Sequence, residues 1–241
     1  MKRPRLPTNR ESSSIHQFNK ELFSWLAPNY DQVVNRLSFR QDARWKAELV
    51  GSIPPLTAPR CLDLGCGTGG FLVALSGRFP EAMLVGADLT QSMIITARSA
   101  RKIGRWLPTV QNAEALAFPS EVFDVVTCGY LLRNTADLNA VICEIARVLK
   151  PGGWLVTLDF LQSESPMASR FKQLVFSSWG RLIGATQLGD QGAFESIGWT
   201  LGHLPSPGKM DELLHDAGLT PVKKWKFLMG VTGGSIARRE G

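Results

Sequence analysis

The chain has 241 residues, of which 44% are hydrophobic, and a formal net charge of +6 at pH 7. This length suits one α/β domain with a sizeable core, and the hydrophobic content excludes global disorder. No apolar run has the length of a transmembrane helix, no signal-peptide pattern is found, and the cysteines form no metal-binding motif. These features predict a cytoplasmic protein with reduced thiols and no metal ion.

The positive charges are dispersed along the chain, with small clusters near residues 2–10 and 98–105. Such a distribution is typical of solvated helix faces, and no nucleic-acid partner is expected because no aromatic residues interleave with the clusters. Attraction to an anionic lipid surface is the second interpretation of the same charge.

The first quarter of the chain predicts helices ahead of any strand. Residues 1–13 are polar and charged and predict a flexible tail. Apolar residues recur at helical spacing from Ile15 to Leu26, and a second helical stretch covers about Asp31 to Val50. A proline-rich segment then breaks the chain, so the N-terminal helices are expected within residues 14–58.

Beyond residue 59, strand and helix patterns alternate as in a doubly wound sheet. Strands are predicted near residues 60–64, 83–88, 107–110, 123–128 and 153–159. Helices are predicted near residues 69–78, 92–103, 136–149 and 208–217, with a helical acceptor-side insertion over 161–205 and a closing antiparallel pair at 221–228 and 231–237. The predicted fold class is α/β, a Rossmann-like and mostly parallel sheet with an antiparallel C-terminal strand, in one domain over residues 14–241.

The segment LDLGCGTGG, from Leu62 to Gly70, joins an acidic residue to a glycine turn. A strand, a glycine turn and a helix N-terminus form a nucleotide-binding corner, because glycine permits left-handed backbone angles and close ligand approach. The spacing is G-x-G-x-G, and Asp63 precedes the first glycine by two residues. That carboxylate would repel a pyrophosphate and attract the ammonium of a methionine moiety, so we predict S-adenosylmethionine as the ligand. The turn residues predicted to contact it are Gly65, Cys66, Gly67, Thr68 and Gly69.

A second acid supports this ligand. Asp88 ends a second apolar strand, where a carboxylate can accept hydrogen bonds from both ribose hydroxyls. A third strand ends in polar residues where the adenine edge would lie, with Asn112 or the amide of Ala113 as its partner. For each acid alone, the alternative is a residue that caps the next helix. The remaining residues predicted for the cofactor site are Leu89, Glu114 and Gly129.

Several longer segments match a known pattern. They are NAEALAFPSEVFDVV, LLRN at Leu131 to Asn134, ARVLKPGGWLVTLDF at Ala146 to Phe160, and an N-terminal pattern of Tyr30-Asp31, Asn35, Leu37-Ser38-Phe39 and Trp45-Lys46. Together they resemble the ubiquinone/menaquinone biosynthesis C-methyltransferases, from about Phe18 to Ala237. The resemblance implies a class I methyltransferase that uses S-adenosylmethionine to methylate a ring carbon of a prenylated benzoquinol or naphthoquinol.

Four residues are predicted to act on such an acceptor. Loss of a phenolic proton places negative character on the ortho carbon, which attacks the sulfonium methyl in line. Arg133 stays protonated and is assigned to stabilising the phenolate, while a water held by Asn134 or Asp159 accepts the proton. Tyr30, or its neighbour Asp31, would orient the ring. The alternatives are a surface arginine for Arg133 and a helix cap for Tyr30 and Asp31.

The insertion is predicted to face the tail of the substrate. Apolar residues of 167–186 fall on one helical stripe flanked by basic side chains. This face is expected to grip a prenyl chain or to rest on the inner membrane surface, and the alternative is a lid helix packed on the domain. The expected partner is a prenylated quinol or another apolar small molecule, with peripheral membrane contact and a homodimer left open.

Three departures from the family pattern lie on the acceptor side. The chain has residues 192–197 where the family carries a tyrosine-rich segment, residues 233–237 where its last strand contains a histidine, and Asp42 where a histidine is usual. Two alternatives therefore stay open. One is a class I methyltransferase that acts on an oxygen or nitrogen of another small apolar acceptor, and the other is a catalytically inactive cofactor-binding protein.

Overall fold

The structure is a computed structural model that describes residues 3–7, 11–100, 103–162, 178, 180–181, 183–188, 199–201 and 204–241. The helical stripe predicted over 167–186 falls largely outside these residues, and the segment 192–197 falls outside them entirely.

Within the described residues, a seven-stranded sheet forms the centre of the fold. Its strands are β1 Arg60–Leu64, β2 Met83–Asp88, β3 Trp106–Val110, β4 Phe123–Gly129, β5 Leu149–Phe160, β6 Leu219–Phe227 and β7 Thr232–Arg239. The spatial order is β3-β2-β1-β4-β5-β7-β6. The pairs from β3 to β5 are parallel, and β7 runs antiparallel to both of its neighbours. This arrangement confirms the predicted fold class.

Helices connect and cover the strands. They are α1 Ser12–Leu26, α2 Tyr30–Leu37, α3 Asp42–Gly51, α4 Gly70–Arg78, α5 Gln91–Ala100, α6 Leu138–Val148 and α7 Pro207–Asp216. Short 3₁₀ turns lie at Ala27–Asn29, Leu132–Asn134 and Leu228–Gly230, and a π-helical turn lies at Gly184–Leu188. None of the helices in the described part of the chain combines the length and the apolarity needed to cross a membrane.

Two hydrophobic clusters occupy the two faces of the sheet. Successive strand side chains point to opposite faces, so Cys61 belongs to one cluster and Leu62 to the other. The first cluster packs against α3 and α4 through residues such as Leu49 and Phe71, and the second packs against α6. Burial of both faces holds the carboxyl ends of the parallel strands in a fixed arrangement.

Helix α6 shows how the sequence produces these elements. The Asp137 carboxylate caps its N-terminus by accepting a hydrogen bond of 3.0 Å from the backbone amide of Ala140. Apolar residues at helical spacing, including Ile142 and Ile145, form one face that is buried against the sheet.

Replacing Ile145 with alanine should destabilise the fold through a core cavity. Ile145 is 0% exposed, so Ile145→Ala is expected to lower the free energy of unfolding by about 2–5 kcal/mol in urea denaturation. Ile95 of α5 is 58% exposed and serves as the matched control, for which Ile95→Ala should change stability by about 0.5 kcal/mol or less. Equal effects of the two substitutions would contradict the packing described for α6.

Two of the differences from the predicted element boundaries have a clear structural cause. The helical stretch predicted from Asp31 to Val50 is two helices, because Phe39 and Arg40 have φ angles of 50° and 63° and cannot continue a right-handed helix. Strand β5 begins at Leu149 rather than near residue 153. Leu149 already pairs with Phe123, and an irregularity between Phe123 and Val125 accommodates the Pro-Gly-Gly segment that reads locally as a turn.

Candidate cofactor cleft and acceptor pocket

A cleft of about 690 Å³ lies at the carboxyl ends of β1, β2 and β4. Strand order reverses between β1 and β4, which is where ligands bind in open α/β sheets. The predicted site residues that line it are Tyr30, Gly65, Gly67, Asp88, Leu89, Asn112, Ala113, Glu114, Gly129 and Asn134.

The glycine turn between β1 and α4 forms one wall of this cleft. Gly65 and Gly67 have φ angles of 65° and 52°, a region that favours glycine. A Cβ atom at Gly65 would lie 2.9 Å from Leu131 Cδ1, so the close approach of these two segments also requires glycine. Backbone atoms rather than side chains therefore form this wall, and the absence of side chains leaves room for a ligand.

The other turn residues hold the turn in place. The Cys66 amide donates to the Ala87 carbonyl at 2.9 Å, and the Gly69 amide donates to the Cys66 carbonyl at 2.8 Å. Burial raises the pKa of the Cys66 thiol well above its ordinary value. The Thr68 hydroxyl donates to Asp31 Oδ1 at 2.6 Å and so joins the turn to α2. Asp31, which was expected to orient the acceptor ring or to cap a helix, thus anchors the turn.

Asp88 links the glycine turn to the end of β2. Its Oδ2 accepts a hydrogen bond of 2.8 Å from the Gly67 amide, and its Oδ1 accepts one of 2.8 Å from the Thr90 amide. Burial raises the pKa of this carboxyl, and the two amide hydrogen bonds oppose that shift. The Thr90 hydroxyl also donates to this carboxylate. A carboxylate has about four acceptor positions, so Asp88 can still accept a hydrogen bond from a ligand hydroxyl.

Asp63 lies inside the sheet rather than on the wall of the cleft. It is 1% exposed, and its Oδ1 accepts a hydrogen bond of 2.8 Å from the Thr127 hydroxyl. Burial raises its pKa to about 7, against the opposing effects of the Thr127 hydrogen bond and the positive charge of Lys46. Lys46 in turn forms an ion pair of 2.7 Å with Asp42, which accepts a hydrogen bond of 3.0 Å from the Tyr130 hydroxyl. Asp42 thus belongs to a polar network near the turn.

The raised pKa of Asp63 predicts a specific pH dependence of stability. Between the ordinary value of 3.8 and about 7, the folded state binds more protons than the unfolded state, so stability falls as the pH rises through this window. The slope from one group is at most about 1.4 kcal/mol per pH unit. Asp63→Asn keeps an acceptor for Thr127 and should flatten this slope. Urea unfolding of cofactor-free protein at about pH 5 and about pH 7 measures it, and identical slopes for both proteins would contradict the shift.

Glu114 joins three elements around the expected adenine end of the cleft. Its Oε1 accepts hydrogen bonds from the amides of Ala136 and Asp137 at 2.7 and 3.2 Å. Its Oε2 lies 3.0 Å from His16 Nε2 on α1. Asn112 Oδ1 accepts from the Glu114 amide at 3.1 Å. Glu114 therefore lines the cleft and also holds the loop before α6 and the first helix.

Arg133 and Asp159 form a buried ion pair outside the cleft. Arg133 Nη1 lies 2.8 Å from Asp159 Oδ1, and each side chain is 10% exposed. The guanidinium also stacks over the rings of Tyr130 and Phe160, with 5.4 and 4.9 Å from its Cζ to the centroids. Among the described residues, Arg133 Nε and Asp159 Oδ2 are buried and have no hydrogen-bond partner. Such atoms are rare in folded proteins and indicate a ligand or ordered water as the missing partner.

A second, mostly apolar pocket of about 830 Å³ lies beside this pair. Asp159 forms part of its wall. The apolar residues that line it are Leu132, Phe160, Leu161, Leu204, Pro205, Pro207, Met210, Leu214 and Trp225. Tyr130 lines the cleft and Phe160 lines this pocket, so the Arg133 guanidinium, which stacks over both rings, lies between the two cavities.

The other two predicted catalytic residues have different surroundings. Asn134 Nδ2 donates to the Tyr130 carbonyl at 2.7 Å, so its side chain supports the loop after β4. Tyr30 lines the cleft, and its ring packs edge-on against Phe23 at 6.3 Å. Burial raises the pKa of Tyr30 above its ordinary value, which keeps its hydroxyl protonated and able to donate. The roles proposed for both residues stay predictions.

Sequence reasoning missed the contribution of α1. His16, Asn19 and Phe23 share one face of this helix, at spacings of three and four residues, and all three line the cleft. Their spacing is visible in the sequence, but their place over the cleft depends on the packing of α1 against α5, where Ser24 and Ser92 hydroxyls lie 3.0 Å apart. Tyr130, with a left-handed φ of 57°, was also missed.

The residues of the cleft fit S-adenosylmethionine. The side-chain-free turn at Gly65 and Gly67 leaves space for the methionine part, and the Asp88 carboxylate can accept hydrogen bonds from ribose hydroxyls. Leu89 and Met93 provide apolar surface where the adenine ring is expected, next to the polar edge of Asn112. Among the described residues, no group of His, Cys, Asp and Glu side chains could hold a metal ion.

Comparison with known proteins agrees with this geometry. The ubiE/COQ5 methyltransferase family matches residues 11–239. The ubiquinone/menaquinone biosynthesis C-methyltransferase UbiE of Desulfotalea psychrophila is 31% identical over 215 residues, which cover 89% of this chain and 87% of that protein. The demethylmenaquinone methyltransferase of Thermus thermophilus is 32% identical over 201 residues, which cover 83% of this chain and 91% of that protein.

A solved structure shows the same fold at lower identity. A SAM-dependent methyltransferase from Thermotoga maritima has a TM-score of 0.66 and 18% identity, covering 92% of this chain and 99% of its own. The family match extends over nearly the whole sequence, and class I methyltransferases of this kind use S-adenosylmethionine. The chain therefore belongs to the ubiE/COQ5 methyltransferase family and is an S-adenosylmethionine-dependent methyltransferase.

Proposed function

We propose that the protein transfers the methyl group of S-adenosylmethionine to a ring carbon of a prenylated quinol. The relatives that match it over most of the chain are named as C-methyltransferases of ubiquinone and menaquinone biosynthesis or as demethylmenaquinone methyltransferases. The observation that carries the proposal is the buried Arg133–Asp159 pair, which lies between the cofactor cleft and the apolar pocket.

The pair has the chemistry that a quinol needs. The bound cofactor supplies an electrophilic methyl group. Asp159 Oδ2, which has no hydrogen-bond partner among the described residues, accepts the proton of the reacting hydroxyl, directly or through a water. Arg133 Nε, also unpartnered there, then donates to the phenolate oxygen and stabilises its charge. The ring carbon forms the new C–C bond while the S–C bond breaks and leaves its electron pair on sulfur. A water takes the proton from that carbon, which restores the aromatic ring, and the phenolate oxygen regains the proton that Asp159 held.

The apolar pocket suits the prenyl tail. Its lining is formed mainly by leucine, proline, methionine and aromatic side chains. Contact between these side chains and an apolar prenyl chain removes apolar surface from water, which stabilises the complex. Gly233 of β7 contributes to the tight packing there, because a Cβ atom at this position would lie 2.5 Å from Leu161 Cδ1. A larger residue at Gly233 would therefore require Leu161 to move, which would change the shape of the pocket.

The location of the acceptor leads to a further part of the proposal. A prenylated quinol resides in a membrane, so the cytoplasmic protein would contact the inner membrane surface peripherally. Strand β6 carries Lys223, Lys224 and Lys226, and the exposed Met229 follows it. Lys224 and Lys226 also line the apolar pocket.

The homodimer, the tail over residues 1–13, and the domain over 14–241 with its 161–205 insertion stay predictions.

Methyl transfer to defined acceptors tests the function. We would incubate the protein with methyl-labelled S-adenosylmethionine and either a reduced demethylmenaquinol or a demethoxy-type ubiquinol precursor, then analyse the products by mass and fragmentation. Label on a ring carbon of one acceptor would support the proposal. A methyl ether would instead favour oxygen transfer, and no product from either acceptor with cofactor binding intact would favour another acceptor or an inactive protein.

A further inference from the structure

Asn19, a residue of the cofactor cleft, has a buried side-chain oxygen with no hydrogen-bond partner among the described residues. It lies on α1, is 5% exposed and lines the cleft. Its Nδ2 donates to the Asn134 carbonyl at 2.5 Å. Because a carbonyl can only accept, this contact assigns the amide nitrogen to the Asn134 side and the oxygen to the other side. Asn19 Oδ1 is buried and has no hydrogen-bond partner among the described residues.

The course of α1 shows which part of the cleft Asn19 lies beside. One turn before Asn19, His16 contacts Glu114 beside the expected adenine end. One turn after it, Phe23 packs against Tyr30, whose Cε1 would lie 3.8 Å from a Cβ atom at Gly67 in the glycine turn. Asn19 therefore lies between the adenine end and the methionine end of the cleft.

The sulfonium centre occupies that middle position in S-adenosylmethionine, because it joins the ribose to the methionine chain. Asn19 also bonds to the residue next to Arg133, on the side where the methyl group must leave. A sulfonium spreads its positive charge over the hydrogens of the attached carbons. The negative end of a buried carbonyl dipole attracts such hydrogens, and more strongly where water is excluded.

We propose that Asn19 Oδ1 contacts the sulfonium centre and makes the protein bind S-adenosylmethionine in preference to S-adenosylhomocysteine. The product is a neutral thioether, so methyl transfer removes the charge that this oxygen recognises and favours product release. Asn19 is thus a specificity-determining residue for the charge state of the cofactor. The inference rests on the cofactor assignment of the proposed function.

Calorimetric titration of both cofactor forms tests this inference without any acceptor. Asn19→Leu should weaken binding of S-adenosylmethionine about tenfold and binding of S-adenosylhomocysteine by less than about twofold. The matched control is Ser24→Ala, which removes another polar contact of α1 and should leave the ratio of the two Kd values unchanged. Equal weakening of both forms by Asn19→Leu would show that Asn19 only positions α1 and would overturn the inference, as would unchanged binding.

A second variant keeps the inference testable if Asn19→Leu does not fold. Asn19→Asp retains an oxygen toward the ligand, replaces the donor to Asn134 with a second oxygen and adds a negative charge. Because a negative charge attracts a sulfonium, the preference for S-adenosylmethionine should be kept or increased. A reduced preference in Asn19→Asp would overturn the inference. Wild-type protein that binds neither form would instead contradict the cofactor assignment, whereas a changed ratio without any quinol methylation would contradict the proposed acceptor alone.

Discussion

Replacing Asp88 with alanine is expected to raise the Kd for S-adenosylmethionine by about a hundredfold or more. The Asp88 carboxylate accepts hydrogen bonds from the amides of Gly67 and Thr90, both at 2.8 Å, and Asp88 lines the cleft where the ribose is expected. The substitution therefore removes the ribose acceptor and releases the glycine turn at the same time. Calorimetry on the purified variant measures the effect directly.

Asp124 provides the matched control for this substitution. Its Oδ2 also accepts a backbone amide, that of Arg60 at 2.8 Å, and its Oδ1 pairs with Lys150 at 2.7 Å. Asp124 lies near the start of β4, at the opposite end of the sheet from the cleft. Asp124→Ala should alter stability and leave the Kd unchanged within about twofold. Wild-type affinity in Asp88→Ala would mean that this carboxylate does not contact the cofactor.

Replacing Arg133 with alanine should lower kcat by about a hundredfold or more while the Kd for S-adenosylmethionine changes by less than about twofold. The guanidinium is the positive charge beside the proposed reacting oxygen, and it lies outside the residues that line the cofactor cleft. Steady-state kinetics with the quinol acceptor and calorimetry with the cofactor separate the two quantities. Unchanged kcat would show that the role assigned to Arg133 is wrong.

The loss of Arg133 also leaves the Asp159 carboxylate buried without its partner, which by itself destabilises the fold. The double variant Arg133→Ala/Asp159→Asn removes that unpaired charge and should recover stability, while kcat stays low because the proposed proton acceptor is lost as well. Recovered kcat in the double variant would contradict the catalytic roles of both residues. Arg147, paired with Glu144 at 2.7 Å away from both cavities, is the matched arginine, and Arg147→Ala should leave kcat unchanged.

Much of the fold follows from local sequence patterns. Predicted strands 60–64 and 83–88 agree with β1 and β2 at both ends, and predicted helix 69–78 differs from α4 by one residue. These elements were predictable because buried strands, glycine turns and helix faces depend on residues close together in the chain. The break between α2 and α3 was not predictable, because non-glycine residues with left-handed backbone angles have no clear local signature in the sequence.

The candidate site also contains residues that the sequence predicted and residues that only the structure revealed. The sequence pointed to Asp88, Asn112 and Arg133 through their places after strands, since the carboxyl ends of parallel strands meet at one edge of a sheet. It did not reveal that the Asp63 carboxylate lies within the sheet beside Thr127, because that contact depends on the pairing of β1 with β4. The roles of His16 and Asn19 depend on where α1 packs, which no local pattern specifies.

By itself, then, the sequence determined the α/β class, the glycine turn, its cofactor and the family, since each depends on short segments whose residues act together. Only the tertiary structure decided that Arg133 meets Asp159, which is 26 residues away. That contact requires β4 and β5 to pair in register, so that the Tyr130 amide bonds to the Leu158 carbonyl at 2.7 Å. The tertiary structure likewise decided that α1 covers the cleft, because helix packing depends on surfaces assembled from distant parts of the chain.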